Sequence, residues 1–410
     1  MNSNPVRSTI FASAVAAATL TAAGNSGAQS RWESEVTAEA RWFVQATDDS
    51  RQASQDQSLA AATRWTFDFD QRKQRLSLAL NGRLDSQDGE RSQWDIGELN
   101  WRYRWRAAEL SVGIDRVYWG VTEALQLVDT INQTNRVDSP DGQQKLGQPM
   151  IRLALQPGRS EWEFFVLPVF REQRLPGSRG RLRGPLQLVE DAAVFESRDE
   201  RQHVDLAARY SGYAGSFEWA LSYFMGTSRA PLLQLQPTDN PLQPPVLRPF
   251  YYLTDQTGLE LTWVAGSWLW KLEAISRRDD QQRYFAATGG FETTWFGVGG
   301  SSLDLGLIVE YQYDDRDSNR LLQSVSVAND DLVLGARITG NDFAGTECLI
   351  LYSYDRRSNG RIASIEASRR FGAKWRGGIE ARFFSGQSSI DALSVFSNED
   401  FWQLELTRFF

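Results

Sequence analysis

Apolar and polar side chains take turns along most of this chain, at a period of two. In SLDLGLIVEYQYD, Leu303, Leu305, Leu307, Val309, Tyr311 and Tyr313 alternate with Asp304, Gly306, Ile308, Glu310 and Gln312. The same rhythm runs through RLSLALNGRLD, FEWALSYFM and the closing FWQLELTRFF, where Trp402, Leu404, Leu406 and Phe410 share one parity and Arg408 is the misfit. Successive side chains of a strand point to opposite faces, so each run predicts a strand with two differently solvated sides. The runs are about 9 to 11 residues long, which is what a tilted strand needs to cross a bilayer.

Eighteen such segments are expected, beginning near residues 36, 60, 75, 94, 108, 149, 161, 203, 216, 250, 267, 284, 302, 331, 345, 362, 374 and 400. Every second connection reads as a tight turn: DQRK, RAA, QPGRS, SGYAG, AGS, GGS, TGNDFAG and FGAK. Gly, Pro, Asn and Asp supply the backbone angles such turns need. The intervening connections are long and polar, among them TDDSRQASQDQS, DSQDGERSQ, SRRDDQQR and DDRDSNRLLQSVSVAND. Eight short turns and nine long loops place both chain ends on the turn side. A propeller or stacked sandwich would show strands of about five or six residues without this lopsided spacing. The expected fold is therefore all-β, a single closed antiparallel transmembrane β-barrel of about 18 strands. Short turns face the periplasm, long loops face outward, and some loops fold into the lumen.

Composition sharpens this picture. The 15 Trp residues and 12% aromatics suit interfacial belts. Residues 1–28, with Arg7 before an apolar stretch from Ile10 to Ala23 and small residues at Ser26 to Ala28, read as a signal peptide, leaving a barrel of residues 29–410. The formal net charge of -8 argues against nucleic acid as a partner. Cys348 and His203 each stand alone, so no disulfide, thiolate cluster or multi-histidine metal site is expected, and no cofactor is implied.

If the apolar parity faces lipid, the other parity lines the interior. That inward set includes Arg102, Arg104, Arg152, Arg209, Lys271, Glu273, Arg277, Glu310, Arg337, Glu366, Arg370, Glu380 and Arg382. Two long insertions are candidates to fill the lumen. The first, from Arg116 to Met150, places Leu125, Leu127, Val128 and Ile131 at roughly helical spacing, which predicts a short amphipathic helix over Val121 to Ile131, either folded into the mouth or packed on the surface. The second, from Phe170 to Gln202, concentrates Arg171, Arg174, Arg179, Arg181 and Arg183, followed by Glu190, Asp191 and Glu196. Guanidinium groups offer paired donors to carboxylate, phosphate or sulfate, so an anion-selective constriction is one reading and a solvated or lipopolysaccharide-facing loop the other. A third loop, TSRAPLLQLQPTDNPLQPPVLRP, is rich in Pro and expected to be extended.

The stretch DRVYWGVTEALQLVDTINQTNRVD resembles a segment of porin-like outer-membrane families of proteobacteria, in which Trp-Gly is followed by an Asp and an Ile-Asn-x-x-Asp element. The matching residues are Trp119, Gly120, Asp129, Ile131, Asn132 and Asn135, the last an Asn where an acid is usual. A weaker similarity is to alginate-export barrels. The final strand resembles the C-terminal signal that the barrel assembly machinery of Gram-negative bacteria recognises, with Phe410 as its end. These resemblances imply a pore in the cell outer membrane, in contact with lipid and lipopolysaccharide, passing small polar or anionic solutes or saccharide. A closed barrel acting as receptor, adhesin or envelope-assembly partner is the alternative. An outer-membrane hydrolase ranks last, because His203 with Asp205 two positions away is a loose pair on a strand face and no serine nucleophile element accompanies it.

Overall fold

The computed structural model describes residues 29–410 except 48, 140–141, 185, 190–192, 239–244, 279–281, 317–329 and 387–391. Residues 1–28, read above as a signal peptide, and the acidic pair Glu190 and Asp191 lie outside the described residues. The wall strands begin with β1 (Gln29–Phe43), β2 (Gln55–Phe69), β3 (Gln74–Asp85), β4 (Gln93–Trp105), β5 (Ala108–Asp115), β6 (Gln148–Leu155) and β7 (Ser160–Leu167). After a two-residue strand in an insertion, β8 (Val194–Phe195), the wall resumes with β9 (Asp205–Ala214) and β10 (Phe217–Thr227). A further insertion holds β11 (Leu232–Gln236) and β12 (Val246–Tyr251). The wall is completed by β13 (Leu253–Ala265), β14 (Trp268–Arg278), β15 (Arg283–Trp295), β16 (Asp304–Asp314), β17 (Asp330–Thr339), β18 (Glu347–Asp355), β19 (Arg361–Phe371), β20 (Trp375–Ser385) and β21 (Phe401–Phe409).

Each wall strand pairs antiparallel with the next, and β1 pairs with β21 from Glu35 opposite Phe409 to Phe43 opposite Phe401. The result is a closed 18-stranded barrel. Closure satisfies backbone donors and acceptors that no water could reach in hydrocarbon.

Sixteen of the eighteen strand starts fall within three residues of expectation. The exceptions are β1 and β2, which begin at Gln29 and Gln55 instead of near 36 and 60. Their mutual ladder runs from Gln29 opposite Asp68 to Trp42 opposite Gln55, so backbone pairing carries polar sequence into the sheet where side-chain alternation is weak. Most of SGYAG belongs to β9, leaving the turn at 215–216. SRRDDQQR is no long loop either, since β14 and β15 absorb its ends and leave only 279–282 between them.

The parity assignment holds around the wall. Leu221, Trp270, Leu334, Leu404 and Leu406 are exposed on the outside, whereas Glu260, Glu273, Thr288 and Glu310 of the opposite parity are buried within. Exposed Trp105, Trp263, Trp268, Trp295 and Trp375 sit near the turn end, and Trp42, Trp94 and Trp402 near the loop end, as two interfacial girdles require. Arg408, the misfit of the last strand, faces outward at the turn end with its guanidinium 5.5 Å from the Trp375 ring centre and 4.9 Å from that of Phe410. Those rings let a cation sit at the edge of the apolar belt.

Replacing outward-facing Leu404, at the middle of β21, by Arg is expected to destabilise the barrel by about 2–4 kcal/mol. Urea unfolding in liposomes measures this, and an unchanged midpoint would contradict the outward assignment.

Candidate functional site

The first insertion, 116–147, folds inside the barrel, but not as a helix: Val121 to Ile131 is irregular chain with bends. Its backbone amides find acceptors on the wall instead of within a helix. Glu273 of β14, fully buried, accepts from the Val121 and Thr122 amides at 2.7 and 3.0 Å, from the Thr122 hydroxyl at 2.6 Å, and from the Val128 amide at 3.2 Å. Glu310 of β16 accepts from the Glu123 and Ala124 amides at 2.7 and 3.0 Å. Gly120 donates to Glu260 of β13 at 3.3 Å. Charged acceptors make each of these bonds stronger than a neutral one, and they compete directly with helical i to i−4 bonding.

The residues of the sequence motif are the clamps of this arrangement. Trp119 is buried with its ring edge-on to Phe165 of β7, 5.6 Å between centroids. Gly120 has a φ of +113°, and a Cβ there would come within 2.9 Å of the Glu273 carboxylate and 2.7 Å of Gln126. Asp129 pairs with Lys145 across the two limbs of the insertion. Burial pushes the Asp129 carboxyl up and the Lys145 ammonium down, each opposed by the other's charge. The Asn132 amide donates to the carbonyls of Asp115 and Leu146, both at 2.9 Å, while its oxygen accepts from Val117 at 2.9 Å, tying both stems together. Asn135 donates to Asp138 at 2.9 Å and to Gln144 at 2.8 Å.

Val128 and Ile131 complete an apolar cluster with Phe165, Phe224, Ile275 and Ala286 of the inner wall. The insertion thus lies against the wall from β5 round to β17, where Arg337 reaches Glu123 at 2.7 Å. Inward side chains on this arc are sealed: Glu260 is 3%, Glu273 0% and Glu310 1% exposed. On the remaining arc, the side chains of Arg64 (β2), Arg104 (β4) and Glu366 (β19) are 55%, 67% and 48% exposed. The insertion occupies one side of the lumen; on the other, these side chains are exposed, whereas Glu39 and Arg41 of β1 and Gln403 of β21 are buried.

The second insertion runs across the loop end toward the opposite arc. Arg171 pairs with Asp95 at 2.7 Å, Arg174 bonds Gln93, and the Gly177 amide donates to Asp88 at 2.9 Å. Arg181 is buried, pairs with Glu399 at 2.8 Å, donates to the Asn398 carbonyl at 2.7 Å and lies 4.3 Å from the Phe43 ring centre. Arg183 pairs with Asp49 at 2.8 Å. This segment is a strap fastened at both ends, and Arg179 alone of the five arginines is exposed. Behind it, β8, β11 and β12 form a small sheet whose Tyr251 and Phe195 pack on Phe170. Of the Pro-rich third loop, the flanks are extended as the paired β11 and β12, and 239–244 lie outside the described residues.

The wall arginines proposed as pore-lining all share the inward register, yet none stands as a free cation. Arg102 and Arg104 face Glu109 at 3.4 and 2.7 Å. Arg152 bonds Glu163 at 2.8 Å and Arg209 pairs with Glu260 at 3.0 Å. Arg382 pairs with Glu380 at 2.9 Å. The expected excess of positive charge is met by carboxylates on neighbouring strands, several of them, such as Glu109, Glu163 and Glu260, passed over in reading the sequence because they alternate with the same apolar runs. His203 departs from expectation as well. It precedes β9, so its ring folds back to place Nδ1 2.8 Å from Asp205, a carboxylate that also accepts from Thr227 and pairs with Arg229 at 2.7 Å. The group is a buried junction holding loop ends together.

Glu273→Ala should strand three backbone amides without an acceptor, each costing about 1–3 kcal/mol. Amide hydrogen exchange should rise over 121–128 while wall strands stay protected; equal protection would remove Glu273 as the anchor. Arg181→Gln leaves Glu399 unpaired, and breaking such a buried pair costs about 3–5 kcal/mol. Protease nicking within 176–184 should then appear, and continued resistance would show that the strap is held elsewhere.

No family model and no curated protein matches the chain. Among solved structures, it is similar to Wzi of Escherichia coli, described as an outer membrane protein involved in group 1 capsule assembly and a carbohydrate-binding β-barrel, at 8% identity and a TM-score of 0.51, covering 91% of this chain and 83% of that one. It is also similar to OccK5 (OpdH) of Pseudomonas aeruginosa, at 9% identity and a TM-score of 0.52 over 94% of this chain and 97% of that one. OpdQ of the same organism gives 12% identity and a TM-score of 0.51 over 94% and 99%. At such identities the likeness is one of fold: a β-barrel.

Proposed function

We propose that the barrel is an outer-membrane channel for small polar solutes, saccharides and small organic anions among them, with its turns in the periplasm and its loops outside. The observation that carries this reading is the asymmetry of the lumen. An insertion is anchored to one arc by wall carboxylates, and the opposite arc keeps charged side chains in water. Charged groups on a wet inner face cost little there, whereas a barrel filled throughout would bury them. The porin-like motif supports the reading, since its residues hold the narrowing insertion in place. Because cations and carboxylates alternate across the wet arc, general selectivity for anions is expected to be modest. The strap at the loop end favours a second reading, a closed barrel serving as a receptor. On either reading, residues 1–28 are a cleaved leader, the outer loops meet lipopolysaccharide, and exposed Phe410 is available to the barrel assembly machinery.

Purified protein in a planar bilayer should give discrete conductance steps, larger or more frequent in Arg181→Gln than in wild type. Neutralising Arg181 and Arg183 should change opening far more than ion selectivity, because both are already paired. Silence of both proteins under every salt and voltage would reject the channel in favour of the receptor.

A further inference from the structure

Most connections at the loop end are long, but β18 and β19 are joined by residues 356–360 alone. The turn is built around the buried, inward carboxylate of Asp355, which accepts from the Arg357 amide at 2.7 Å and from the Ser358 hydroxyl at 2.6 Å. The Asn359 amide donates to the Asp355 carbonyl at 2.9 Å. So short a turn keeps its side chains at the rim of the wall. Three of them, Arg356, Arg357 and Arg361, are exposed arginines. Arg356 continues the outward parity of β18 two positions beyond Tyr354, and Arg361 stands opposite Tyr354 in the ladder with its guanidinium 5.9 Å from that ring's centre. Arg356 meets Asp330 of β17 at 3.4 Å, a carboxylate that also accepts from the Tyr311 hydroxyl at 2.6 Å, and its side chain stays 58% exposed. The Arg357 side chain has no ion pair among the described residues. Asp315, across β16, is turned to the Phe285 amide at 2.8 Å. Beneath this rim the same outer face carries Leu332, Leu334, Ile350 and Tyr352, all exposed. Three cations thus face one shared carboxylate at the edge of an apolar band.

We propose that Arg356, Arg357 and Arg361 form an outward docking site for the phosphorylated head of an outer-leaflet glycolipid, the lipid A portion of lipopolysaccharide, with its acyl chains laid along Leu332, Leu334 and Ile350. Guanidinium groups offer paired donors in a plane, which matches the oxygens of a phosphate. Charge selects the head group, because the patch is cationic on a chain whose net charge is -8. Position selects the lipid: a phosphate tethered to acyl chains gains both the ion pairs and the apolar contact, whereas a free phosphate gains only the first. The site rests on the proposed orientation, with the loops outside, and is independent of conduction.

Thermophoresis of the detergent-solubilised barrel tests it, with diphosphoryl lipid A, dephosphorylated lipid A and inorganic phosphate as probes. The diphosphoryl form is expected to bind at least about tenfold more tightly than the dephosphorylated one, and Arg357→Gln should weaken it about fivefold, as the loss of one cation beside an anionic head group implies. Replacing all three arginines by Gln should reduce it about a hundredfold. Arg408→Gln, which removes an outward cation at the opposite rim, should leave the affinity unchanged. Equal binding of the two lipid forms, affinities unaltered in Arg357→Gln and in the triple variant, or displacement of lipid A by inorganic phosphate at matching concentration would overturn the proposal. A membrane-impermeant maleimide applied to intact cells reads the orientation: Ser50→Cys, exposed in the β1–β2 connection, should be labelled above the wild-type background of Cys348. Labelling without lipid A binding would refute the site and leave the orientation standing; lipid A binding without labelling would refute the orientation on which the site depends.

Discussion

A backbone amide facing hydrocarbon has no water to bond, so every one must find its acceptor within the protein. In this chain the wall strands meet that demand by pairing with their neighbours, and the last demand is met when β1 joins β21. Because the ladder must close, the side-chain parity is locked for the whole circumference: a slip of one residue would turn the buried Glu273 and Glu310 toward lipid and Leu404 toward water. The position of every inward group follows from that register.

The same demand governs the interior, with a different answer. Chain that enters the lumen without regular structure brings amides that need partners, and here the wall supplies them as carboxylates. Glu260, Glu273 and Glu310 each bind loop amides, and Arg209 and Arg337 secure Glu260 and Glu123 in turn. Wall acids that would be costly when alone become the reason the insertion stays put. The consequence is geometric: the insertion lies against the wall from β5 round to β17, and inward side chains of the remaining arc such as Arg64 and Glu366 stay exposed.

Charge in this lumen is thus largely spent on structure. Arg152, Arg181, Arg183 and Arg382 each hold a carboxylate, which orders the wall and the strap but cancels their long-range fields. A group left out of this pairing, such as Arg116, stands out against a compensated background.

The strand count, nearly all strand positions, the alternation of turn and loop ends and the division into lipid-facing and inward-facing residues were legible in the sequence. They follow from a two-residue period that each strand expresses locally, independent of its neighbours. The ends of β1 and β2 were not, because there pairing between distant backbones, not side-chain pattern, makes the strand. The spacing of Leu125, Leu127, Val128 and Ile131 suggested a helix, but an amide bonded to Glu273 or Glu310 cannot also bond four residues back. The roles of the arginines were beyond reach for the same reason: whether Arg181 is a free cation or half of a pair depends on Glu399, more than two hundred residues away in sequence. Local pattern determines which way a side chain points; only the closed barrel determines what it meets there.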